Sequence, residues 1–157
     1  MLRVAIAKRA DGSGVLSCTR ADGSALWQKQ ERHAAFFALH DLTHFAVETV
    51  LGKRRGFFGL IAEGWDIDDT EGRGNRGAVP PEAIEVEILV GMLDAERAGG
   101  TVWSIDEFNE MLALKAGDSP PRLTSEELNG IRKRRAELFR AWSAVQSGEK
   151  LELTFGE

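Results

Sequence analysis

Residues 1–29 alternate between apolar and polar positions in three short runs. The first run covers residues 2–7, and the others cover 15–20 and 25–27. An Asp-Gly pair separates each run from the next, and both residue types tolerate the positive φ of tight hairpin turns. The pattern predicts three antiparallel strands joined as a meander.

A strand pattern returns at the end of the chain, where Leu151, Leu153 and Phe155 alternate with polar residues. A lone strand cannot satisfy its own backbone hydrogen bonds, so we expect it to join the meander. The fold class predicted is α+β: a mainly antiparallel four-stranded sheet with about five helices packed on one face.

Helical spacing of apolar residues fills the region between these strands. Helix boundaries are marked by glycines at the ends, by prolines at a start, and by two capping boxes, Ser104 with Glu107 and Thr124 with Glu127. The helices are predicted from Ala34 to Leu51, from Gly56 to Trp65, from Pro80-Pro81 to Gly99-Gly100, from Ser104 to about Ala116 and from Thr124 to near Gly148.

The stretch from Asp66 to Pro81 is rich in acidic residues, glycine and proline, and predicts a polar loop without regular structure. Its part from Asp69 to Gly77 is expected to be the most mobile internal segment and to cover a site. Glu71 to Gly77 has the glycines of a phosphate-binding loop but lacks the Walker lysine, so no nucleotide cofactor is expected.

Composition and charge narrow the classes of protein to which the chain can belong. The 157 residues, 43% hydrophobic and 29% charged, suit a single domain over residues 1–157. The net charge of −5 argues against nucleic acid as a partner, and the basic run 132–135 would spread round its helix. The sequence lacks a secretion signal and any run of roughly 18 apolar residues. With the lone Cys18 expected in the core, these features favour a cytoplasmic protein without membrane contact.

The candidate chemistry lies on the helix HAAFFALHDLTHFAVETVLG, which contains all three histidines: His33, His40 and His44. At about 100° per residue, they share one stripe with Asp41 and Glu48. Histidines at i and i+4 can bring two imidazole nitrogens to one ion, and this stripe contains no lysine, arginine or glutamine. The pattern predicts a divalent metal site, with zinc the expected metal. A polar stripe on a core helix and a metal-free acid/base site are the alternatives.

The missing ligands must come from another segment. If the basic residues 53–55 form the bend of a helical hairpin, His44 lies level with Glu63, and His40 lies level with the region beginning at Asp66. We therefore predict a metal site formed by His40 and His44 together with Glu63 and Asp66.

Asp41 and Glu48 are the candidates for a catalytic role. Asp41 follows the first histidine, where HExxH metalloproteases carry their general base, but aspartate is one methylene shorter. It is expected instead to orient an imidazole. Glu48 is a poor metal ligand, because eight residues of helix span about 12 Å.

The motif HDLTH, from His40 to His44, resembles the HDxxH zinc motif of the ubiquinone-biosynthesis scaffold family. The resemblance covers five of the 157 residues, and Gly56 stands where that family has a glutamate. It implies only that such a pair can hold zinc. The stretch HDLTHFAVE followed by GFFGLIAEGWD is also similar to small uncharacterised bacterial proteins, and that resemblance implies no activity.

Three classes of function are compatible with the sequence. The first is a metal-dependent enzyme, hydrolytic or lyase-like, using the histidine helix. The second is a module that binds a small molecule without chemistry. The third is a structural or interaction protein, such as a homodimer joined through an uncovered sheet edge.

Overall fold

The computed structural model describes residues 1–28, 34–117 and 120–156, with only the backbone described for 34–36. It confirms the predicted α+β fold. The sheet has the strand order β3-β2-β1-β4, with every neighbouring pair antiparallel. The strands are β1 Leu2–Lys8, β2 Gly14–Arg20, β3 Ala25–Gln28 and β4 Lys150–Phe155.

The helices agree closely with the sequence pattern. They are α1 Ala34–Leu51, α2 Phe57–Glu63, α3 Ile67–Thr70, α4 Pro81–Gly99, α5 Ile105–Ala116 and α6 Ser125–Ala144. Both predicted capping boxes are present, at the starts of α5 and α6. One expectation is corrected: the stretch predicted to lack regular structure contains α3, whose single turn is closed by a capping box between Asp66 and Asp69. A single turn is too short to show helical spacing in the sequence.

Helix α1 lies at the centre of the molecule. One side of it contributes Leu42, Phe45 and Ala46 to a core shared with the inward side chains of the sheet, including Cys18. Another side contributes Val47 to a second core formed with α4, α5 and α6. Because both sides are covered, polar residues of α1 that point towards α4 are removed from water.

Buried ion pairs fasten α4 to α6. The Glu96 side chain is 2% exposed, lies 2.5 Å from Arg132 Nη2 through Oε2, and lies 3.5 Å from Arg135 Nη2 through Oε1. A buried charge is costly unless it is paired, and both arginines meet that need. Two of the four residues in the basic run 132–135 therefore hold the helices together.

No helix in the described ranges combines the length and apolar character required to cross a lipid bilayer.

Candidate metal centre

The two histidines of α1 face two acidic residues of α4. The Nε2 atom of His44 lies 3.1 Å from Glu87 Oε1, and the Nδ1 atom of His40 lies 2.6 Å from Asp94 Oδ2. The imidazole centroids are 4.9 Å apart. His40, His44 and Glu87 each offer a ligand atom within 4.8 Å of the others, so the three side chains could hold a metal ion. His33, the third histidine of the predicted stripe, lies outside the described residues.

Each imidazole is oriented by a second carboxylate. The Nδ1 atom of His40 contacts Asp94 Oδ2, and the Nδ1 atom of His44 lies 3.2 Å from Glu48 Oε2. A carboxylate can only accept, so the Asp94 contact places the proton of a neutral His40 ring on Nδ1 and leaves Nε2 for a cation. His44 has a carboxylate at each nitrogen, and with a cation on Nε2 the Glu48 contact would hold its proton on Nδ1. Outer-shell carboxylates orient the histidine ligands of metals in this way.

Glu48 is fixed by the start of α2. Its side chain is fully buried, and Oε1 accepts hydrogen bonds from the backbone N–H groups of Phe58 at 2.9 Å and Gly59 at 3.2 Å. The chain can come this close because residue 56 is glycine: a Cβ on Gly56 would lie 2.5 Å from Glu48 Cδ. The GFFG sequence therefore fits around the carboxylate that holds His44.

The carboxylates around His44 favour a positive charge at this position. Burial lowers the pKa of His44, but hydrogen bonds to Glu48 and Glu87, together with their charges, outweigh burial and raise it to about 10. Burial raises the pKa of Glu87, but its hydrogen bond to His44 and the charges of both histidines lower it by more. Without a metal, a protonated His44 therefore supplies the positive charge between two carboxylates.

The histidines open into a cavity of about 490 Å³. Asp41 forms part of the wall and is buried. The loop after α2 also borders the cavity through Thr70, Glu71 and Val79. The remaining wall is mostly apolar, with Phe57 lying 5.4 Å from the ring of His44 between centroids. Whether this loop is mobile stays a prediction.

The structure does not bring Glu63 and Asp66 to the two histidines. Glu63 is exposed and forms a salt bridge with Arg55, whose Nε atom lies 3.1 Å from Glu63 Oε1. Asp66 caps α3 and lies 3.8 Å from Arg20, with its side chain 77% exposed. The predicted hairpin placed them incorrectly because the first turn of α2 already packs at the level of Glu48, so Glu63, at its far end, lies beyond the site. The carboxylate that forms a possible ligand group with the two histidines belongs to Glu87.

Glu87 and Asp94 are the site residues that sequence reasoning missed. They are seven residues apart on α4, which puts both on one face, about two turns apart. That spacing was the available signal. It is common among surface acids, and its significance depends on which helix packs against α1.

Comparison of the chain with protein-family models, curated proteins and solved structures found no match. The chemistry therefore has to be inferred from the geometry itself. The arrangement provides two imidazoles with fixed orientation, a third ligand from another helix, and an adjoining cavity.

Proposed function

We propose that the protein binds a divalent metal ion through His40, His44 and Glu87 and uses it to hydrolyse a small molecule. The carrying observation is that both imidazoles have a carboxylate on Nδ1, while a third carboxylate, from Glu87, lies 3.1 Å from His44 Nε2 and within 4.8 Å of a ring nitrogen of His40. A polar stripe on a core helix would not require this division of roles between inner and outer carboxylates.

The donor set favours zinc. Two histidines and one glutamate form a known set of catalytic zinc ligands, and such sites keep a further position for water or substrate. The same donors also suit iron(II), so the metal must be identified by measurement. Bound zinc would supply an activated water and polarise a substrate carbonyl.

The predicted catalytic candidates have different roles in this proposal. Both oxygens of Glu48 are engaged by three donors, so Glu48 is a positioning residue. Asp41 lines the cavity beside the histidines and is the group we propose for proton transfer to and from the reacting molecule.

Binding without reaction is the second candidate function. The observation that favours it is that His44 already has a carboxylate at each nitrogen, so its charges are balanced without a metal. In that case the cavity would hold a small molecule against the protonated imidazole.

Metal analysis decides between these functions. Protein purified without a metal-affinity tag should contain, or take up from a micromolar solution, about one equivalent of zinc, iron or manganese. Glu87→Gln should weaken zinc binding by more than the roughly 10–100-fold expected for loss of an outer-shell partner. Glu63→Gln is the matched control, because Glu63 is an exposed glutamate outside the site.

Two results would reject the metal-dependent function. The first is a protein that takes up none of the three metals. The second is Glu87→Gln protein that binds zinc as tightly as the unaltered chain. Circular dichroism of each variant would establish that the fold is intact.

A further inference from the structure

The walls of the cavity indicate what kind of molecule it takes. Phe37, Phe57, Val79, Ile84 and Ile88 form most of its apolar lining. Ile84 is 52% exposed, although it is a large hydrophobic residue, because it borders this opening. A ligand with an aromatic or aliphatic body would cover that surface, and the volume of about 490 Å³ lies within the usual range for small-molecule sites.

The charges around the cavity disfavour anions. Asp41, Glu71 and Glu87 line it, and against them stand only the imidazoles of His40 and His44, since the described lining residues include no lysine or arginine. Phosphate and carboxylate groups are normally bound by such cations or by helix N-termini. The start of α2 borders the cavity through Phe57, and its N–H groups at Phe58 and Gly59 already bond Glu48.

One polar group of the wall lacks a partner. Gln28 lines the cavity, and its Oε1 atom is buried without a hydrogen-bond partner among the described residues. An unsatisfied buried acceptor is costly, so a ligand towards which this side chain turns to accept a hydrogen bond would gain from it. Amide and ammonium groups donate such bonds, whereas a carboxylate does not.

Resting on the proposed metal function, we infer that the substrate is an uncharged or cationic organic molecule. Its aromatic or aliphatic body occupies the cavity, and it carries an N–H or O–H donor for Gln28. The three carboxylates of the wall outweigh the charge of one protonated imidazole or one divalent ion, so phosphate esters, nucleotides and free carboxylates lie outside the substrate class that we infer.

Three probes with the same body test the inference: 3-phenylpropanamide, protonated 3-phenylpropylamine and 3-phenylpropanoate. Each is titrated into metal-free and zinc-loaded protein at neutral pH, and binding is followed through backbone amide shifts. In metal-free protein, the amide and the ammonium probe should bind at least about tenfold more tightly than the carboxylate, because like charges repel in the site. The largest shifts should fall at Ile84, Ile88 and Phe57.

An added positive charge in the wall provides a second test. Ile84→Lys places a cation at a half-exposed point of the wall, so the fold should tolerate it, and it should raise carboxylate affinity while weakening the amide. Val102→Lys is the matched control: Val102 is 72% exposed, is not among the described lining residues, and should leave all three affinities unchanged.

The outcomes separate this inference from the metal function, because zinc uptake is measured on the same samples. Zinc uptake combined with carboxylate binding as tight as amide binding, or with no probe binding, overturns the substrate class alone. Amide-selective binding without uptake of zinc, iron or manganese overturns the metal function and supports the selectivity of the cavity. Shifts located away from the cavity, or an unchanged preference in Ile84→Lys protein, also overturn the inference.

Discussion

Replacing Glu48 with glutamine tests the coupling between α2 and the histidine site. In Glu48→Gln protein, the amide oxygen of the new side chain can still accept from the N–H groups of Phe58 and Gly59. The amide nitrogen then faces His44 Nδ1, where the carboxylate oxygen lies at 3.2 Å. The N–H of the new amide and the Nδ1–H of His44 are then both donors, so they cannot form a hydrogen bond with each other. The imidazole must give up this hydrogen bond or move its proton to Nε2, the nitrogen that a metal requires.

The structure sets the magnitude of this effect. Loss of an outer-shell carboxylate should weaken zinc binding about 10–100-fold, which is about 1.4–2.8 kcal/mol. In metal-free protein, the lost bond is charge-assisted and fully buried, so the free energy of unfolding should fall by about 1.5–3 kcal/mol. The retained bonds to α2 should keep the native fold.

Competition with a chromophoric chelator measures the zinc affinity, and urea denaturation measures the stability. Glu85→Gln provides the control: Glu85 lies on α4 and bonds Lys53 at 2.8 Å, and it is not a member of the histidine group. That variant should keep its zinc affinity. The reasoning is refuted if Glu48→Gln protein binds zinc as tightly as the unaltered chain and is equally stable.

Three further predictions concern titration, packing and the sheet. Because the pKa of His44 is raised from 6.5 to about 10 on folding, its contribution to metal-free stability should be complete below pH 6.5 and disappear as the pH rises towards 10. Urea unfolding across that range checks this, and an unchanged contribution would contradict it. Gly56→Ala should destabilise the protein by about 1–3 kcal/mol, because its Cβ would meet Glu48, whereas Gly91→Ala, with open space inside α4, should stabilise it by about 0.5–1 kcal/mol. Equal thermal shifts for the two variants would disprove the argument. Deleting residues 150–157 should lower the melting temperature of the whole domain, because β4 pairs with β1 along its length and Phe155 is buried; an unchanged transition would show that β4 is dispensable.

Most of the secondary structure and part of the site could be predicted from local patterns in the sequence. Period-two alternation and Asp-Gly turns identified the strands, and the capping boxes identified the starts of α5 and α6. These signals are local, because each depends on residues within a few positions of one another. The shared face of His40 and His44 follows from helix geometry in the same way.

Which acidic residues meet those histidines depends on how the helices pack. Glu63 and Glu87 look alike in the sequence, since each is a glutamate on an amphipathic helix. The difference arises from packing: α4 lies along α1, where Asp94 contacts His40. In contrast, α2 starts at Glu48, and Glu63 at its far end pairs with Arg55. The position of one helix on another depends on many side-chain contacts between distant segments, and the spacing of residues within one segment does not record them.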